Sequence, residues 1–222
     1  MNRKSFKELV GSDWFDILNE VINKEVESNL DKIKSLYMTS KVYPEGSKIF
    51  RAFQECELNN LKIVWLGLEP YINGEAEGLA FSCYGSKMTP SFYHILKAYD
   101  DCYPMHFNTD MMEGNLLPWA KQGVLLLNTS LTVEAGKTES HAEYWKEFTQ
   151  RLIKELDINY KDLIFVGFGS VAGEFLKDVR NVKIIREHPA YAAKMNRPWK
   201  HDMLFHELDN KLKELKLEEI KW

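Results

Sequence analysis

The sequence predicts an α/β protein in which helices cover both faces of a central, mainly parallel four-stranded sheet, a three-layer α/β/α arrangement. Helical and strand-like patterns alternate along the 222 residues, which is typical of parallel strands joined by helices. Four short runs are largely apolar throughout, as strands buried on both faces are. Glycine or residues with polar side chains follow each run closely. The runs cover residues 63–66, 124–127, 163–166 and 182–185.

Five helices are expected around these strands. Ser12 or Asp13 is placed to cap the first, because both side chains accept hydrogen bonds from free backbone N–H groups, and apolar residues follow at helical spacing. Pro90 opens the second, since proline is favoured at the first helical position. The other three are predicted at about 141–156, 170–178 and 201–215.

The residues that follow the four strands form the candidate site. The carboxyl ends of parallel strands share one edge of a sheet, and ligands bind at that edge. In chain order, the strands deliver Glu69 and Tyr71, Asn128 and Thr129, Gly169 and Ser170, and His188 and Pro189. We therefore predict a site that combines a carboxylate, an amide, a hydroxyl and an imidazole.

The composition is that of a globular protein, with 45% hydrophobic and 28% charged residues. The length fits a single domain over residues 1–222. No apolar stretch is long enough to span a membrane, and no apolar core follows the basic N-terminus as it does in a signal peptide. We expect a cytoplasmic protein that acts as a monomer and has no membrane partner.

Cysteines, histidines and charge exclude several classes of function. Cys56, Cys83 and Cys102 form no Cys-x-x-Cys pair, so we expect free thiols in a reducing compartment. Neither a metal nor another cofactor is expected, because the histidines also lack metal-ligand spacing. The net charge of −4 argues against a protein that coats nucleic acid nonspecifically. Residues 183–200 nevertheless carry five cations and one anion, as a solvated loop or a DNA-flanking surface does.

Several motifs occur in order along the chain. Residues 67–72 read Gly-Leu-Glu-Pro-Tyr-Ile, residues 78–82 read Gly-Leu-Ala-Phe-Ser, and residues 122–129 read Gln-Gly-Val-Leu-Leu-Leu-Asn-Thr. Ser140-His141-Ala142 and His188-Pro189 follow. The series resembles family-1 uracil-DNA glycosylases, whose first motif usually reads Gly-Gln-Asp-Pro-Tyr-His. The resemblance implies the fold of that family and a monofunctional enzyme that hydrolyses uracil from DNA in base excision repair.

The resemblance assigns base recognition to three side chains. An enzyme that acts on a base in duplex DNA flips the nucleotide into a pocket. Phe81 is then expected to stack on the extruded ring. Asn128 is expected to pair its amide, which has a donor and an acceptor, with N3–H and O4 of uracil. Tyr71 is expected to exclude the methyl group of thymine.

The resemblance also assigns the chemistry. His188 is expected to donate a hydrogen bond to uracil O2 as the base leaves as an anion, from either a neutral or a protonated ring. Glu69 is expected to stabilise the cationic sugar and to orient the attacking water. His141 and the carbonyl group of Pro70 are the positions that would hold this water.

DNA, single- or double-stranded, is the implied partner. Contacts with it are expected from Thr89, Pro90, Ser91, Ser170, Lys194 and Arg197. Residues 190–192 read Ala-Tyr-Ala, where the family has a phosphate-binding Ser, a Pro and a Leu that enters the duplex as a wedge. Tyr191, Met195 or Trp199 is expected to take the place of this wedge.

Three further residues near the expected water differ from the usual residues of the family. Glu69 stands where the family has Asp, and Leu68 and Ile72 replace its Gln and His. The extra methylene moves the carboxylate by about a bond length, and a misplacement of ~1 Å can cost about 10²-fold in rate. The less polar surroundings are expected to raise the pKa of the carboxyl. Base recognition is therefore predicted to be intact, and the water and wedge functions altered.

Two other functions fit parts of the sequence. The altered wedge fits a glycosylase-like, weakly catalytic module that binds DNA or serves in replication, whereas Glu69, His141 and His188 favour an enzyme. A proteinaceous inhibitor or a replication partner is a further, unidentified interaction. Residues 167–173 are rich in glycine, follow a strand and open a helix, which loosely fits a dinucleotide-binding protein. Their third glycine comes one residue late for that motif.

Overall fold

The described part of the computed structural model, residues 3–106 and 108–222, is built around a parallel four-stranded sheet. Its strands are β1 (Val42–Tyr43), β2 (Ile63–Gly67), β3 (Val124–Asn128), β4 (Val133–Glu134), β5 (Ile164–Phe168) and β6 (Val182–Arg186). The parallel sheet has the order β3-β2-β5-β6, which confirms the predicted strands. An antiparallel pair of β1 and β4 was not predicted, because strands of two residues leave no pattern in the sequence.

Helices cover the sheet in the predicted three-layer α/β/α arrangement. They are α1 (Arg3–Val10), α2 (Ser12–Val21), α3 (Lys24–Thr39), α4 (Arg51–Glu55), α5 (Pro90–Cys102), α6 (Thr109–Met112), α7 (Leu117–Lys121), α8 (Ala142–Asn159), α9 (Gly169–Phe175), α10 (Pro189–Lys194) and α11 (Leu204–Glu214). The five predicted helices are present, although α9 ends earlier and α11 begins later than expected. α3 was not predicted, because it buries only a narrow face that includes Val26 and Ile33.

The start of α2 differs from the prediction. Gly11 is its N-cap residue, with φ 86° and ψ 160°, so neither Ser12 nor Asp13 occupies the capping position. The Asp13 carboxylate instead accepts a hydrogen bond of 3.0 Å from the backbone N–H of Leu58. This bond ties α2 to the turn that precedes β2.

Aromatic side chains pack the sheet against its helices. Trp65 of β2 is fully buried, and its ring centroid lies 4.8 Å from that of Phe168 in β5. The rings of Trp119 and Phe205, from α7 and α11, lie 5.6 and 6.2 Å from Trp65. Such ring pairs add roughly 0.5–1.5 kcal/mol each to the gain from burial. The core therefore holds β2 and β5 in place, and β2 ends at the candidate site.

The described residues also bear on membranes, metals and thiols. Cys56, Cys83 and Cys102 are buried free thiols, as predicted. Within residues 3–106 and 108–222, no helix combines the length and the apolar character needed to cross a membrane. The same residues contain no group of three or more His, Cys, Asp or Glu side chains arranged to hold a metal ion.

Asp157, near the end of α8, connects this helix to the turn before β6. Its carboxylate accepts hydrogen bonds of 3.0 Å from the backbone N–H groups of Arg180 and Asn181, and both side chains add further bonds. Burial raises the pKa of Asp157, but the hydrogen bonds from Asn181 and Arg180 outweigh burial and hold the pKa below its usual value. The ionised carboxylate is therefore part of the folded structure.

We expect Asp157→Ala to lower the free energy of unfolding by about 2–3 kcal/mol, because several donors lose a charged acceptor. Asp162→Ala is the matched control, since Asp162 is exposed, and it is expected to cost less than about 0.5 kcal/mol. Urea unfolding of both variants measures the difference. Equal costs for the two variants would contradict the structural role of Asp157.

Candidate active site

A cavity of about 280 Å³ opens at the carboxyl edge of the sheet. Its walls come from the loops that follow β2, β3 and β6 and from the start of α5. The predicted site residues that line it are Glu69, Pro70, Tyr71, Phe81, Ser91, Asn128 and His188. The structure therefore brings together residues that lie far apart in the sequence.

Hydrogen bonds between two loops determine where Glu69 lies. The carbonyl oxygen of Leu68 accepts bonds from Thr129 Oγ1 at 2.6 Å and from the backbone N–H of Ser130 at 3.0 Å. The carbonyl oxygen of Gly67 accepts a third from the N–H of Thr129, also at 3.0 Å. The loop after β3 thus supports the loop after β2, and Glu69 follows this support directly.

The Glu69 carboxylate is half-buried at the edge of the cavity. Its Oε2 atom accepts a hydrogen bond of 2.7 Å from the backbone N–H of Glu139. Burial raises the pKa of Glu69, the N–H of Glu139 offsets part of that effect, and the negative charge of Glu139 adds to it. The carboxylate is therefore poorly solvated and is stabilised by a backbone dipole.

Phe81 has a backbone conformation that is unusual for a bulky residue. Its φ angle is 65°, in the left-handed region that side chains with a Cβ rarely adopt. The hydroxyl of Tyr71 donates a hydrogen bond of 2.8 Å to its carbonyl oxygen, and the preceding N–H, of Ala80, donates to Leu126 at 3.0 Å. These bonds hold the buried ring 5.5 Å from that of His188, centroid to centroid.

A buried ion pair supports the segment that carries Phe81. Arg51 Nη1 lies 2.7 Å from Glu77 Oε2 and donates a second bond of 3.0 Å to the carbonyl oxygen of Glu77. Glu77 accepts a further bond from the hydroxyl of Ser82, whose oxygen accepts the N–H of Leu116 at 3.2 Å. The segment before and after Phe81 is thus attached to both α4 and the start of α7.

Asn128 ends β3 directly opposite Gly67 in the sheet register. Within the described ranges, no protein group hydrogen-bonds its side-chain amide, and the amide faces the cavity. A Cβ atom on residue 67 would lie 2.5 Å from Asn128 Oδ1 and 3.0 Å from the ring of Phe81. Glycine at position 67 therefore makes the space that both side chains use.

His188 contributes a neutral hydrogen-bond donor. Its Nδ1 atom accepts a bond of 3.1 Å from the backbone N–H of Ala190, which places the ring proton on Nε2. Burial lowers the pKa of His188 to about 4, so the imidazole is uncharged at neutral pH. The sequence left the protonation state open, and the local geometry selects the neutral ring with an Nε2–H donor.

His141 is not among the residues that line the cavity, and its predicted contact with the water stays a prediction. Its side chain is buried at the start of α8, where Nδ1 lies 2.9 Å from Thr132 Oγ1. Trp145 Nε1 donates to the same oxygen at 2.7 Å. The ring is held inside the protein by this three-residue network, so His141 has a structural position rather than a place in the cavity.

The predicted phosphate contacts divide into two groups. Thr89 is buried, and its hydroxyl oxygen accepts the N–H of Phe92 at 3.2 Å as the N-cap of α5. That oxygen is thus engaged by the helix rather than exposed to a phosphate. Pro90 is exposed beside it, Ser91 is buried against the cavity, and Ser170 is exposed in the first turn of α9.

Ion pairs offset some of the positive charges of the basic segment, residues 183–200. Arg186 pairs with Glu207 of α11, and Arg197 pairs with Glu187. Among the residues that the structure describes, Lys194 has no ion-pair partner and is exposed. Glu187 within the segment and Glu207 outside it therefore neutralise part of the cluster.

Two of the three wedge candidates are exposed. Tyr191 and Met195 are 52% and 53% exposed, whereas Trp199 is buried and donates from Nε1 to the carbonyl oxygen of Glu187 at 2.7 Å. The guanidinium of Arg197 lies 5.7 Å from the centre of the Tyr191 ring. Trp199 is thus excluded as a wedge, because its ring is already packed inside the protein.

Residues 53–213 match the family model described as the uracil DNA glycosylase superfamily. The chain belongs to this superfamily. The uracil-DNA glycosylase of Aliarcobacter butzleri (strain RM4018) is 36% identical over 216 residues, covering 94% of this chain and 99% of that protein. A Porphyromonas gingivalis (strain ATCC 33277) protein of the same name is 38% identical over 169 residues, or 73% and 74% of the two chains.

Solved structures show the same superfamily fold. The crystal structure of mimivirus uracil-DNA glycosylase superimposes with a TM-score of 0.87 at 23% identity, covering 100% of this chain and 89% of that one. The UNG structure from Nitratifractor salsuginis gives 0.65 at 17% identity, covering 94% and 97%. The family resemblance and the fold predicted from the motifs are therefore confirmed.

Two contributors to this glycosylase-family site were not predicted from the sequence. Glu139 donates through its main chain, which every residue except proline can do, so no side-chain pattern indicates it. Arg51 acts through Glu77, a partner 26 positions later. A buried charge pair of this kind is visible only once the chain is folded.

The neutral state of His188 is directly measurable. In NMR titrations of the imidazole nitrogens, we expect Nε2–H at neutral pH and protonation only as the pH falls towards 4, because burial disfavours the charged ring. His188→Gln identifies the signal by its disappearance. Titration of this signal near pH 6.5, the ordinary value for histidine, would contradict the assignment.

Proposed function

We propose that this protein is a monofunctional uracil-DNA glycosylase, which flips deoxyuridine out of DNA and hydrolyses the bond between base and sugar. The observation that carries the proposal is one cavity with an unpaired Asn128 amide, a neutral His188 donor and a carboxylate at its edge. Curated relatives of this chain carry the name uracil-DNA glycosylase.

The recognition half of the cavity suits uracil. The free Asn128 amide offers a donor to O4 and an acceptor to N3–H, a pattern that cytosine does not match. Phe81 presents an aromatic face for stacking, a contact worth about 1–3 kcal/mol per base. Tyr71 is held by its bond to the Phe81 carbonyl, so its ring forms a fixed wall against a methyl group at C5.

The catalytic half suits departure of the base as an anion. Cleavage of the N-glycosidic bond puts positive charge on the sugar and negative charge on the base. The Nε2–H of His188 donates to uracil O2 as this charge develops, and the Glu69 carboxylate faces the cationic sugar. Both groups are in place before the reaction, so little reorganisation is needed when the bond breaks.

Water is the nucleophile in this proposal. No lysine of the described residues lines the cavity, which disfavours a covalent amine intermediate. The Glu69 carboxylate and the Pro70 carbonyl, at residues that line the cavity, orient the water. The retained carboxylate and the preformed His188 donor favour an enzyme over a module that only binds DNA.

Residues at the cavity and on the exposed surface beside it define the proposed DNA surface. Ser91, Ser170 and Lys194 lie near phosphates of the flipped strand, and Pro90 and Arg197 extend this surface. Tyr191 is the proposed wedge, because it is exposed and carries an apolar ring on α10, directly after His188. Mimivirus UNG variants have been solved in complex with UGI, and we include a proteinaceous inhibitor of the same face in the proposal.

The deciding experiment measures release of free uracil from single-stranded and duplex oligonucleotides containing deoxyuridine, at excess enzyme. We expect release from uracil but not from thymine or cytosine. Glu69→Gln should lower the rate well over tenfold, because the sugar cation loses its counter-charge. Asn128→Ala should abolish the preference for uracil. Glu143→Gln, at an exposed position of α8, is the matched control.

Absence of uracil release, combined with selective binding of the deoxyuridine oligonucleotide, would contradict the proposed enzyme activity. It would instead support a module that recognises uracil in DNA without excising it. Full activity of Glu69→Gln would remove Glu69 from the mechanism. Full uracil preference of Asn128→Ala would remove Asn128 from base recognition.

Gly67→Ala tests whether the positions of Asn128 and Phe81 depend on the absence of a side chain at residue 67. The added Cβ displaces Asn128 and Phe81, and we expect uracil release to fall by about 10²-fold, the effect of a misplacement of ~1 Å. Gly46→Ala is the control, because a Cβ there meets nothing within 4 Å. If both variants release uracil at the wild-type rate, the close approach at Gly67 does not control base reading.

A further inference from the structure

The Glu69 carboxylate is held by a backbone group. Its Oε2 atom accepts the N–H of Glu139 at 2.7 Å, and no side chain of the described residues hydrogen-bonds it. The bond joins two segments that are 70 positions apart in the sequence. The position of the carboxylate therefore depends on the path of the loop that contains Glu139.

That loop is fastened to the loop of Glu69. The N–H of Gly136 donates to the carbonyl oxygen of Ile72 at 3.0 Å, three residues after Glu69. Within the loop, the hydroxyl oxygen of Ser140 accepts the N–H of Glu134 at 2.9 Å. The donor at residue 139 is thus presented from a braced turn rather than from a free loop.

Glu139 has a backbone conformation that its residue type disfavours. Its φ angle is 56°, and a non-glycine residue in this left-handed region costs of order 1–3 kcal/mol. Such strain is concentrated at functional sites. Here the conformation directs the N–H towards Glu69, while the carbonyl oxygen of Glu139 accepts the N–H of Ala142 at 3.2 Å, at the start of α8.

We propose that the backbone N–H of Glu139 is a positioning group for Glu69: it restrains Oε2, leaves Oε1 for the sugar and water, and accommodates the extra methylene of glutamate. This inference rests on the proposed function. An aspartate at position 69, one methylene shorter, would not reach the same donor from the same backbone. The glutamate and the left-handed turn at residue 139 therefore work as a matched pair.

Charged groups around Glu69 make the arrangement measurable by pH. Glu69 also borders a second cleft of about 470 Å³, where the facing charged groups are Glu139 on the loop, Glu143 and Lys146 on α8, and Glu174 on α9. His188, across the first cavity, is neutral. The N–H of Glu139 favours the ionised form of Glu69, and the Glu139 side-chain carboxylate opposes it.

The first test compares single-turnover release of uracil by the wild type, Glu139→Pro and Glu139→Gly. Proline removes the N–H and cannot adopt a positive φ, so we expect at least a tenfold loss of rate. Glycine keeps the N–H and suits the positive φ, and should recover most of that loss. In a Glu69→Gln background, Glu139→Pro should cause little further loss, because its effect acts through the carboxylate.

The second test uses pH, and its Glu139→Gln arm does not depend on the folding of the proline variant. Activity requires ionised Glu69, so the rate falls as the pH drops through its pKa. Glu139→Gln removes a nearby negative charge, lowers the pKa of Glu69 and shifts this fall to lower pH. Glu139→Pro removes both this charge and the donor; because the donor has the larger effect on the pKa of Glu69, the net shift of the fall is to higher pH. Glu143→Gln, which leaves the donor intact, should move it less than Glu139→Gln.

Opposite shifts at one position, with recovery by glycine, support the positioning role. A folded Glu139→Pro variant with wild-type rate and pH profile would overturn it, as would an unmoved profile in Glu139→Gln. Absence of uracil release by the wild type would instead overturn the proposed function. The two failures are therefore distinguishable in the same set of assays.

Discussion

The site depends on the pairing of β2 with β3 at their carboxyl ends. The register sets Gly67 against Asn128, and the next residue, Leu68, accepts two hydrogen bonds from the loop after β3. The Asn128 amide, proposed to read the base, and the Glu69 carboxylate, proposed to be catalytic, thus lie on two sides of one short junction. Parallel strands place their ends at the same edge of a sheet. The hydrogen bonds at this junction then determine where Asn128 and Glu69 lie relative to each other.

Burial moves the pKa values of the two proposed catalytic groups in opposite directions. It raises the pKa of Glu69 and lowers that of His188, so it favours the neutral form of each. For His188 the neutral ring is the useful donor, and nothing opposes the shift. Glu69 must stay ionised, and the N–H of Glu139 supplies the opposing stabilisation. One low-dielectric cavity therefore serves both groups only because one of them has a compensating dipole.

Two strained residues support the site: Phe81 lines the cavity, and Glu139 lies outside it and contacts Glu69. Phe81 and Glu139 both have left-handed backbones, and such conformations persist only where the surrounding structure over-determines them. The buried pair of Arg51 and Glu77 provides that support for Phe81, and the braced loop provides it for Glu139. Contacts outside the cavity therefore stabilise the left-handed backbone conformations of both residues.

The sequence by itself determined the four strands of the parallel sheet and the residues at their ends, because apolar runs and short motifs are local signals. Tertiary structure decided which neighbours those residues meet. In the folded structure His141 is buried, Glu207 forms an ion pair with Arg186, and the N–H of Glu139 donates a hydrogen bond to Glu69. Each of these contacts joins groups whose distance depends on the folded path of the chain, and spacing along the sequence does not specify that distance.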